Sequence, residues 1–336
     1  MKTPKLLCTI AAIALAQGSL FAVNTDPVGF VSVTVPGNSD ATLAVPMNRT
    51  SEFKGLTSAL SGTSGSVTIT VAGTPGWTAG QFAPLATANK TYALQLASGA
   101  KEGMVLPITD NGTNTVTVTV SASDNLIGVL ASGEQIDIMP YWTPASLITT
   151  APAAGTSILG FSNSGPGIDR GPGEIYAFDG TNWQDDVNGG PPVNHTTLPF
   201  GSSFILRNNS ASAYTLSMVG SVPMTKFRVL LATLQSNTTQ DIQIGYMSPI
   251  AESLISLEFP AVAGDSILGF DNSDTGIDKG PALIFAFDGT KWVDDVNGGD
   301  LTATVKLQPG FGYVFRKNKS ATPQSVVWTH LPSYLQ

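Results

Sequence analysis

The sequence predicts an all-β protein, with an N-terminal β domain followed by two tandem homologous β-sandwich-like modules. Three observations support this prediction: polarity alternates with a period of two residues, glycine and proline are abundant at 35 and 22 residues, and one long segment occurs twice. Successive side chains of a strand point to opposite faces, so alternation indicates strands with one buried face. Charged residues make up 12% of the chain, against a usual share of about 25%.

The first 22 residues read as an export signal. Lys2 and Lys5 give a positive start, the run from Leu6 to Ala16 is apolar, and small residues follow it. A run this short does not span a bilayer, which needs roughly 20 apolar residues. We therefore expect an exported protein without a transmembrane anchor, located in the periplasm, at the cell surface or outside the cell. Cleavage is expected after Ala22, and the alternative is cleavage after Ala16.

Charge and cysteine content argue against several partners and sites. Loss of the two signal lysines takes the formal net charge from −8 to −10. An acidic surface without a Lys/Arg cluster does not favour nucleic acid. The single cysteine, Cys8, lies inside the signal, so the mature chain is expected to lack disulfides, thiol nucleophiles and zinc–thiolate sites.

An N-terminal β domain is predicted over residues 23–145. Its strands are indicated by two-residue alternation, with turn signals such as "DNG" at 110–112 between them. Two short segments, 51–60 and 145–148, have the pattern of helices instead. The alternating segments lie at 66–71, 92–96, 113–120 and 134–142.

The strongest pattern in the chain is a repeat with an offset of 109 residues. Residues 155–190 and 264–299 are identical at 26 of 36 positions, without a gap. Such self-similarity predicts two homologous β modules in tandem, at 146–225 and 226–336. The second range begins with a linking hairpin. Residues 29–47 resemble that hairpin faintly, which suggests that an equivalent one precedes each module.

The repeated segment contains an aromatic hairpin. Asp179-Gly180 has the sequence of a two-residue turn that needs positive φ, and this turn pairs Tyr176 with Trp183. Tyr176, Phe178 and Trp183 then share one face, which favours a buried aromatic cluster. The alternative is a sugar-stacking platform, which requires that face to be open to solvent. The equivalent residues of the second copy are Phe285, Phe287 and Trp292.

A pair of aspartates follows each tryptophan and raises the question of catalysis. Paired carboxylates catalyse glycoside hydrolysis, but neighbouring residues on a strand point to opposite faces. If the chain instead turns at Asn188-Gly189-Gly190, these carboxylates accept backbone N–H bonds. No catalytic residue is therefore predicted, and the alternative is a ligand-binding site. Its residues are Trp183, Asp185, Asp186, Trp292, Asp294 and Asp295.

Calcium is the one ion that the sequence brings into question, and no other cofactor is predicted. Hard cations bind several carboxylate and carbonyl oxygens of a loop. The segment "FDNSDTGIDKGP" at 270–281 offers Asp271, Asp274 and Asp278. The first copy keeps only Asp169 of this trio. Neither loop has the spacing of an EF-hand.

Other hydrolytic machinery is sparse. The chain has two histidines, His195 and His330, and the repeat places Thr304 opposite His195. It has no G-x-S-x-G, H-E-x-x-H or phosphate-binding glycine loop. The sequence therefore predicts a non-enzymatic protein, with a polysaccharide-degrading enzyme as a third alternative.

Four segments carry a resemblance to a known family. They are "DPVGFVSVTVPGNSDATLAVPMNR" at 26–49, "SGAKEGMVLPIT" at 98–109, "IDIMPYWT" at 136–143 and "GYVFRK…VVWTHLPSY" at 312–334. The chain resembles an uncharacterised family of exported β-rich proteins that occurs as paralogues in Verrucomicrobia-type bacteria. The resemblance implies secretion and a bacterial source, and it implies no activity or site residue.

Together these observations predict an exported non-enzymatic β-protein of the cell envelope or extracellular matrix, structural or adhesive in role. The expected partners are other envelope or matrix components or glycans, bound through loops and sheet edges. The alternative is a carbohydrate-binding module protein, with or without calcium, that uses the tryptophans and aspartates named above.

Overall fold

The computed structural model describes residues 26–63, 65–86, 89–121, 126–296, 298–301 and 304–336. The fold is all-β, as predicted, with 42% strand and 2% helix. The strands pair in antiparallel sheets, one of which closes into a barrel. The predicted export signal lies outside the described residues. Within them, no helix combines the length and the apolar character needed to cross a bilayer.

The chain begins with β1 (Val28–Val35) and β2 (Ser39–Ala44) and then enters the barrel. The barrel strands are β3 (Phe53–Thr63), β4 (Ser66–Val71), β5 (Tyr92–Leu96), β6 (Val105–Asn111), β7 (Thr115–Thr119) and β8 (Gln135–Pro140). They pair in the order β3-β4-β7-β6-β5-β8. Alternate valine, isoleucine and leucine side chains fill the interior.

The two short helix predictions had different outcomes. The helix predicted at 51–60 is wrong, because these residues lie largely in β3, which is bonded to β4 and β8. Barrel closure satisfies the backbone groups that a helix would bond internally. The helix predicted at 145–148 is present as α1 (Pro144–Leu147). Thr143 caps it, since its Oγ1 accepts from the Ser146 N–H at 3.2 Å.

Five strands follow α1: β9 (Ser157–Gly160), β10 (Glu174–Phe178), β11 (Trp183–Asp185), β12 (Ser203–Asn208) and β13 (Tyr214–Ser221). Four of them join β2 in a sheet of order β11-β10-β9-β12-β2, and β1 pairs with β13 in a two-stranded ribbon. Strand pairing therefore groups residues 28–44 with residues 157–221, across the domain boundary predicted at 145. We term β1, β2, α1 and β9–β13 the first unit. The barrel is inserted into it between β2 and α1.

The remaining strands form the second unit and end at a 3₁₀-helix, Ser333–Leu335. They are β14 (Phe227–Ala232), β15 (Gln240–Gly245), β16 (Glu252–Ser253), β17 (Ser266–Gly269), β18 (Leu283–Phe287), β19 (Trp292–Asp294), β20 (Lys306–Leu307), β21 (Gly312–Lys317) and β22 (Ser325–His330). Their main sheet has the order β15-β21-β17-β18-β19, while β14 pairs with β22 and β16 with β20. Read from β19 to β15, the strands of this sheet correspond in turn to β11, β10, β9, β12 and β2 of the first sheet.

Each unit buries one face of its sheet against its own ribbon. In the first unit, Val33 and Leu216 of the ribbon share a core cluster with Ile158 and Leu206 of the sheet. The corresponding cluster of the second unit includes Leu231, Ile267, Phe315 and Trp328. The two sheets meet each other where β2 and β12 pack on β15 and β21. This contact between the sheets positions the candidate site.

Candidate functional site

The aromatic hairpin of the first unit turns through four residues. The Asp179 N–H donates to Asn182 O at 2.9 Å, and Phe178 pairs with Trp183. The predicted two-residue turn is wrong because the Asp179 carboxylate accepts from the Thr181 and Asn182 N–H groups, both at 2.7 Å, and so holds a longer loop. The pairing moves by two residues, so Phe178 and Trp183 still share the predicted face.

Both tryptophans of the repeat are buried. Trp183 is 2% exposed, and its ring centroid lies 5.3 Å from that of Phe178. Trp292 is 4% exposed, and its ring centroid lies 5.2 Å from that of Phe287. A sugar-stacking platform needs an open ring face, and these rings instead form part of the two cores.

The first aspartate of each predicted pair closes a turn. Asp185 Oδ1 accepts from the Val187 N–H at 3.0 Å and from the Asn188 N–H at 2.9 Å. The bond from the Asn188 N–H is the main cause that lowers the pKa of Asp185. In the second unit, Asp294 Oδ1 accepts from the Val296 N–H at 2.8 Å. These carboxylates act as backbone acceptors at the ends of β11 and β19.

The second aspartate of each pair contributes a backbone bond to the hairpin. The Asp186 N–H donates to Ile175 O at 2.8 Å, and the Asp295 N–H donates to Ile284 O at 3.0 Å. Both side chains are exposed. Each pair therefore holds one carboxylate that is bonded in a turn and one that faces solvent.

The three aspartates predicted as calcium ligands have separate partners. Asp271 Oδ1 accepts from the Ser273 N–H at 2.8 Å and from its hydroxyl at 2.6 Å, and the hydroxyl bond is the main cause that lowers the pKa of Asp271. Asp274 contributes its carbonyl to Lys279 Nζ at 2.8 Å, and Asp278 pairs with an arginine of the other unit. In the part of the chain that the structure describes, no group of three or more His, Cys, Asp or Glu residues could hold a metal ion.

Two loops related by the repeat offset bind the two units to each other. We term them the clasp loops: the first, residues 162–170, follows β9, and the second, residues 271–279, follows β17. Each loop reaches one edge strand of the other unit's sheet, and the two sets of contacts match. The clasp therefore has an approximate two-fold character.

The second clasp loop binds β2. Asn272 Oδ1 accepts from the Thr42 N–H at 2.8 Å, and the Asn272 amide donates to Thr42 O at 3.0 Å. Gly276 O accepts from the Asp40 N–H at 2.9 Å, and the Asp278 N–H donates to Asp40 Oδ2 at 2.9 Å. The outward backbone groups of this edge strand are thus bonded by the other unit.

The first clasp loop binds β15 in the same way. Asn163 Oδ1 accepts from the Gln243 N–H at 2.8 Å, and the Asn163 amide donates to Gln243 O at 3.1 Å. Gly167 O accepts from the Asp241 N–H at 3.0 Å, and the Asp169 N–H donates to Asp241 Oδ2 at 2.9 Å. The loop aspartates have positive φ, 50° at Asp169 and 55° at Asp278, a conformation that aspartate adopts more readily than most residues.

An arginine joins each clasp loop to its edge strand. Arg207 donates to both carboxylate oxygens of Asp40 at 2.8 Å and also pairs with Asp278 of the second clasp loop. Asp40 is buried, so the bidentate pair supplies its counter-charge. The bonds to Asp40 are the main cause that raises the pKa of Arg207. The equivalent group, with N–O distances of 2.7 to 2.9 Å, is Arg316, Asp241 and Asp169.

A cleft of about 460 Å³ lies beside the clasp loops, between the two sheets. Leucine and phenylalanine side chains contribute to its lining, and acidic and basic residues of both units also border it. Seven pairs of its lining residues are related by the repeat offset. Three of these pairs are Leu159 and Leu268, Phe161 and Phe270, and Asp169 and Asp278.

No protein-family model, curated protein or solved structure matches this chain. The clasp and the cleft are the structural features that bear on function.

The clasp contacts are a feature that the sequence did not predict, although a signal for them is present in the repeat. Asn163 and Asp169 of the first loop recur as Asn272 and Asp278 of the second. A metal site common to both copies would need all its acidic ligands in each copy. Of the three aspartates predicted as calcium ligands, only Asp278 has an aspartate at the equivalent position of the first copy. An asparagine and an aspartate at fixed positions suit the bonding of a neighbouring backbone.

A buried histidine and carboxylate lie in the second unit, away from the cleft lining. His330 Nε2 lies 2.6 Å from Glu252 Oε2, and both side chains are at most 3% exposed. The Ser333 hydroxyl donates to Glu252 Oε1 at 3.0 Å. A nucleophilic triad needs the hydroxyl on the histidine, and here it is on the carboxylate. His195 is exposed.

Proposed function

We propose that this chain is an exported, non-enzymatic β-protein of the cell envelope or extracellular matrix, with a structural or adhesive role. Its two units are proposed to be homologous β-sandwich-like modules, the first interrupted by the barrel. Membership of the bacterial family named above, and binding to envelope or matrix components or glycans, belong to the same proposal.

The reciprocal clasp is the observation that carries this proposal. The residues that the two copies share are engaged in holding the structure together: Asp278 pairs with Arg207 across the units, and Asp185 bonds its own turn. A general acid or base must instead reach a proton of the substrate, whereas the carboxylates of Asp278 and Asp185 are bonded within the protein. Duplication of bracing residues supports selection for a fixed shape.

A fixed shape favours adhesion because it lowers the entropy lost on binding. The clasp bonds the edge strands β2 and β15, one in each sheet, and places the two units around one cleft. A surface polymer bound there contacts both units at once. The proposed role therefore needs no chemical step.

The test uses the purified protein with insoluble cell-wall and matrix polysaccharides. We expect the protein to sediment with polymer and to release no soluble reducing sugar during prolonged incubation. Release of sugar would contradict the non-enzymatic role, and failure to sediment would contradict the adhesive one. Fractionation of the source cells tests export, since recovery with cytoplasmic markers contradicts it.

A further inference from the structure

The cleft between the two sheets has the composition of a ligand site, and we propose that it binds a neutral oligosaccharide of pyranose units. This inference rests on the adhesive function proposed above and names its ligand class. The cleft volume of about 460 Å³ lies within the range of about 300–1,000 Å³ that small-molecule sites have.

The aromatic part of the cleft is duplicated. Phe161 and Phe270 each come directly after a central strand, β9 and β17, and both are partly exposed. Leu159 and Leu268, two residues earlier, are each 5% exposed and also line the cleft. A pyranose ring presents C–H groups that pack on a phenyl face. Two equivalent rings offer two such positions to one sugar chain.

The charges that line the cleft balance, and their partners are within the protein. Arg316 pairs with Asp241 and Asp169, and Lys279 Nζ donates to the carbonyls of Asp271 and Asp274 at 2.7 and 2.8 Å. An anionic ligand that bound Arg316 would leave the buried Asp241 without its counter-charge. Sugar hydroxyls can donate to the carboxylates and accept from the cations without replacing them. The charged lining residues are Asp169, Asp241, Asp278, Arg170, Lys279 and Arg316.

An extended peptide is a weaker fit to this cleft. A peptide that joins a sheet does so through free N–H and C=O groups of an edge strand. At Thr42 of β2 and Gln243 of β15 those groups are bonded by Asn272 and Asn163. The clasp therefore closes these positions to strand addition, and side-chain recognition of a neutral ligand is favoured.

Isothermal titration of the purified protein with cellohexaose and with chitohexaose tests the assignment. We expect the protein to bind at least one of these sugars. The double variant Phe161→Ala, Phe270→Ala is expected to bind it with an affinity lower by about tenfold or more. Phe30→Ala is the matched control, because Phe30 lies in β1 and is 74% exposed. This control is expected to leave the affinity unchanged.

Three results overturn the assignment. They are no heat with either sugar at millimolar concentration, equal affinity in the double variant, and tighter binding of laurate, which serves as a probe for an apolar ligand, than of the sugars. If the double variant does not fold, saturation-transfer NMR on the parent protein replaces it. Saturation of aromatic protons is then expected to reach the sugar C–H groups, and its absence overturns the site. Retention on insoluble polymer without hexasaccharide binding removes this cleft as the site and leaves the adhesive function standing.

Discussion

At one pair of equivalent buried positions, the two units carry side chains of different chemistry. In the first unit, Thr156 and Asn208 are neutral, and the Asn208 amide donates to three backbone carbonyls at 2.8 to 3.3 Å. The equivalent residues of the second unit, Asp265 and Lys317, are charged and at most 1% exposed, with 3.5 Å between Lys317 Nζ and Asp265 Oδ2. The same strand arrangement thus accommodates neutral side chains or an ion pair. We expect it to accommodate charge only when both partners are present.

Removal of one member of the buried pair is expected to have the largest effect. Lys317→Met leaves Asp265 buried without its counter-ion, so the free energy of unfolding should fall by about 3–5 kcal/mol. Introduction of the first-unit residues, Lys317→Asn together with Asp265→Thr, should recover most of that loss. Urea denaturation measures both. If the double variant is no more stable than Lys317→Met, the neutral residues of the first unit cannot replace the ion pair of the second.

The clasp arginines should have equal and smaller effects in the two units. Arg207→Ala and Arg316→Ala each remove a bidentate partner from a buried carboxylate, which should cost about 2 kcal/mol of unfolding free energy. Asp278→Ala, whose side chain is 82% exposed, should cost about 0.5 kcal/mol. Thermal unfolding of the three variants measures the ranking. Unequal losses for the two arginines would contradict the matched geometry.

The glycines behind the two clasped strands should differ from each other. Gly310 O accepts from the Ala44 N–H at 3.0 Å, and an added Cβ at Gly310 would lie 2.8 Å from Val31. At Gly201, whose carbonyl bonds Gly245, the closest approach is 3.1 Å. Both have positive φ. Gly310→Ala should therefore lower the free energy of unfolding by about 1–3 kcal/mol, and Gly201→Ala should lower it by less. Thermal unfolding of the two variants measures the difference. A melting temperature that is higher for Gly310→Ala than for Gly201→Ala would contradict this prediction.

The smallest effect concerns the two hairpin loops and depends on pH. Backbone bonds, chiefly from the Asn182 and Lys291 N–H groups, lower the pKa of Asp179 and of Asp288 below the ordinary value of 3.8. A lowered pKa means that the contribution is present above 3.8 and is lost as the pH falls through the lower folded value. Asp179→Ala and Asp288→Ala should melt below the parent at neutral pH. The gap should narrow below pH 3.8, and a gap that stays constant would contradict the carboxylate's role.

Local features of the fold could be predicted from the sequence, and non-local ones could not. Alternation, together with a hairpin turn at Asp179-Gly180, is enough to place Phe178 and Trp183 on one buried face. The length of their turn depends on the Asp179 carboxylate, which the dipeptide Asp-Gly does not reveal. The pairing of residues 28–44 with β12 and β13 spans most of the chain, and no short pattern marks it.

The candidate site shows the same division. The turn role of Asp185 follows from its neighbours Asn188 and Gly189, so it could be proposed from the sequence. The clasp joins Asn163 to β15 and Asn272 to β2, and these contacts form only when the two sheets are packed together. The residues were visible as a repeat, but their partners lie in segments that the repeat does not include.

The position of the barrel also bears on how the chain folds. The Trp142 indole N–H donates to Met47 O at 2.8 Å, so the chain departs for the barrel and comes back at neighbouring points. All strands of the second unit are contiguous in sequence, whereas the first must close a long loop before β2 can meet β12. Loop closure becomes only slowly more costly with length, but distant contacts form slowly. We therefore expect the second unit to fold first and the pairing of β2 with β12 in the first unit to form late.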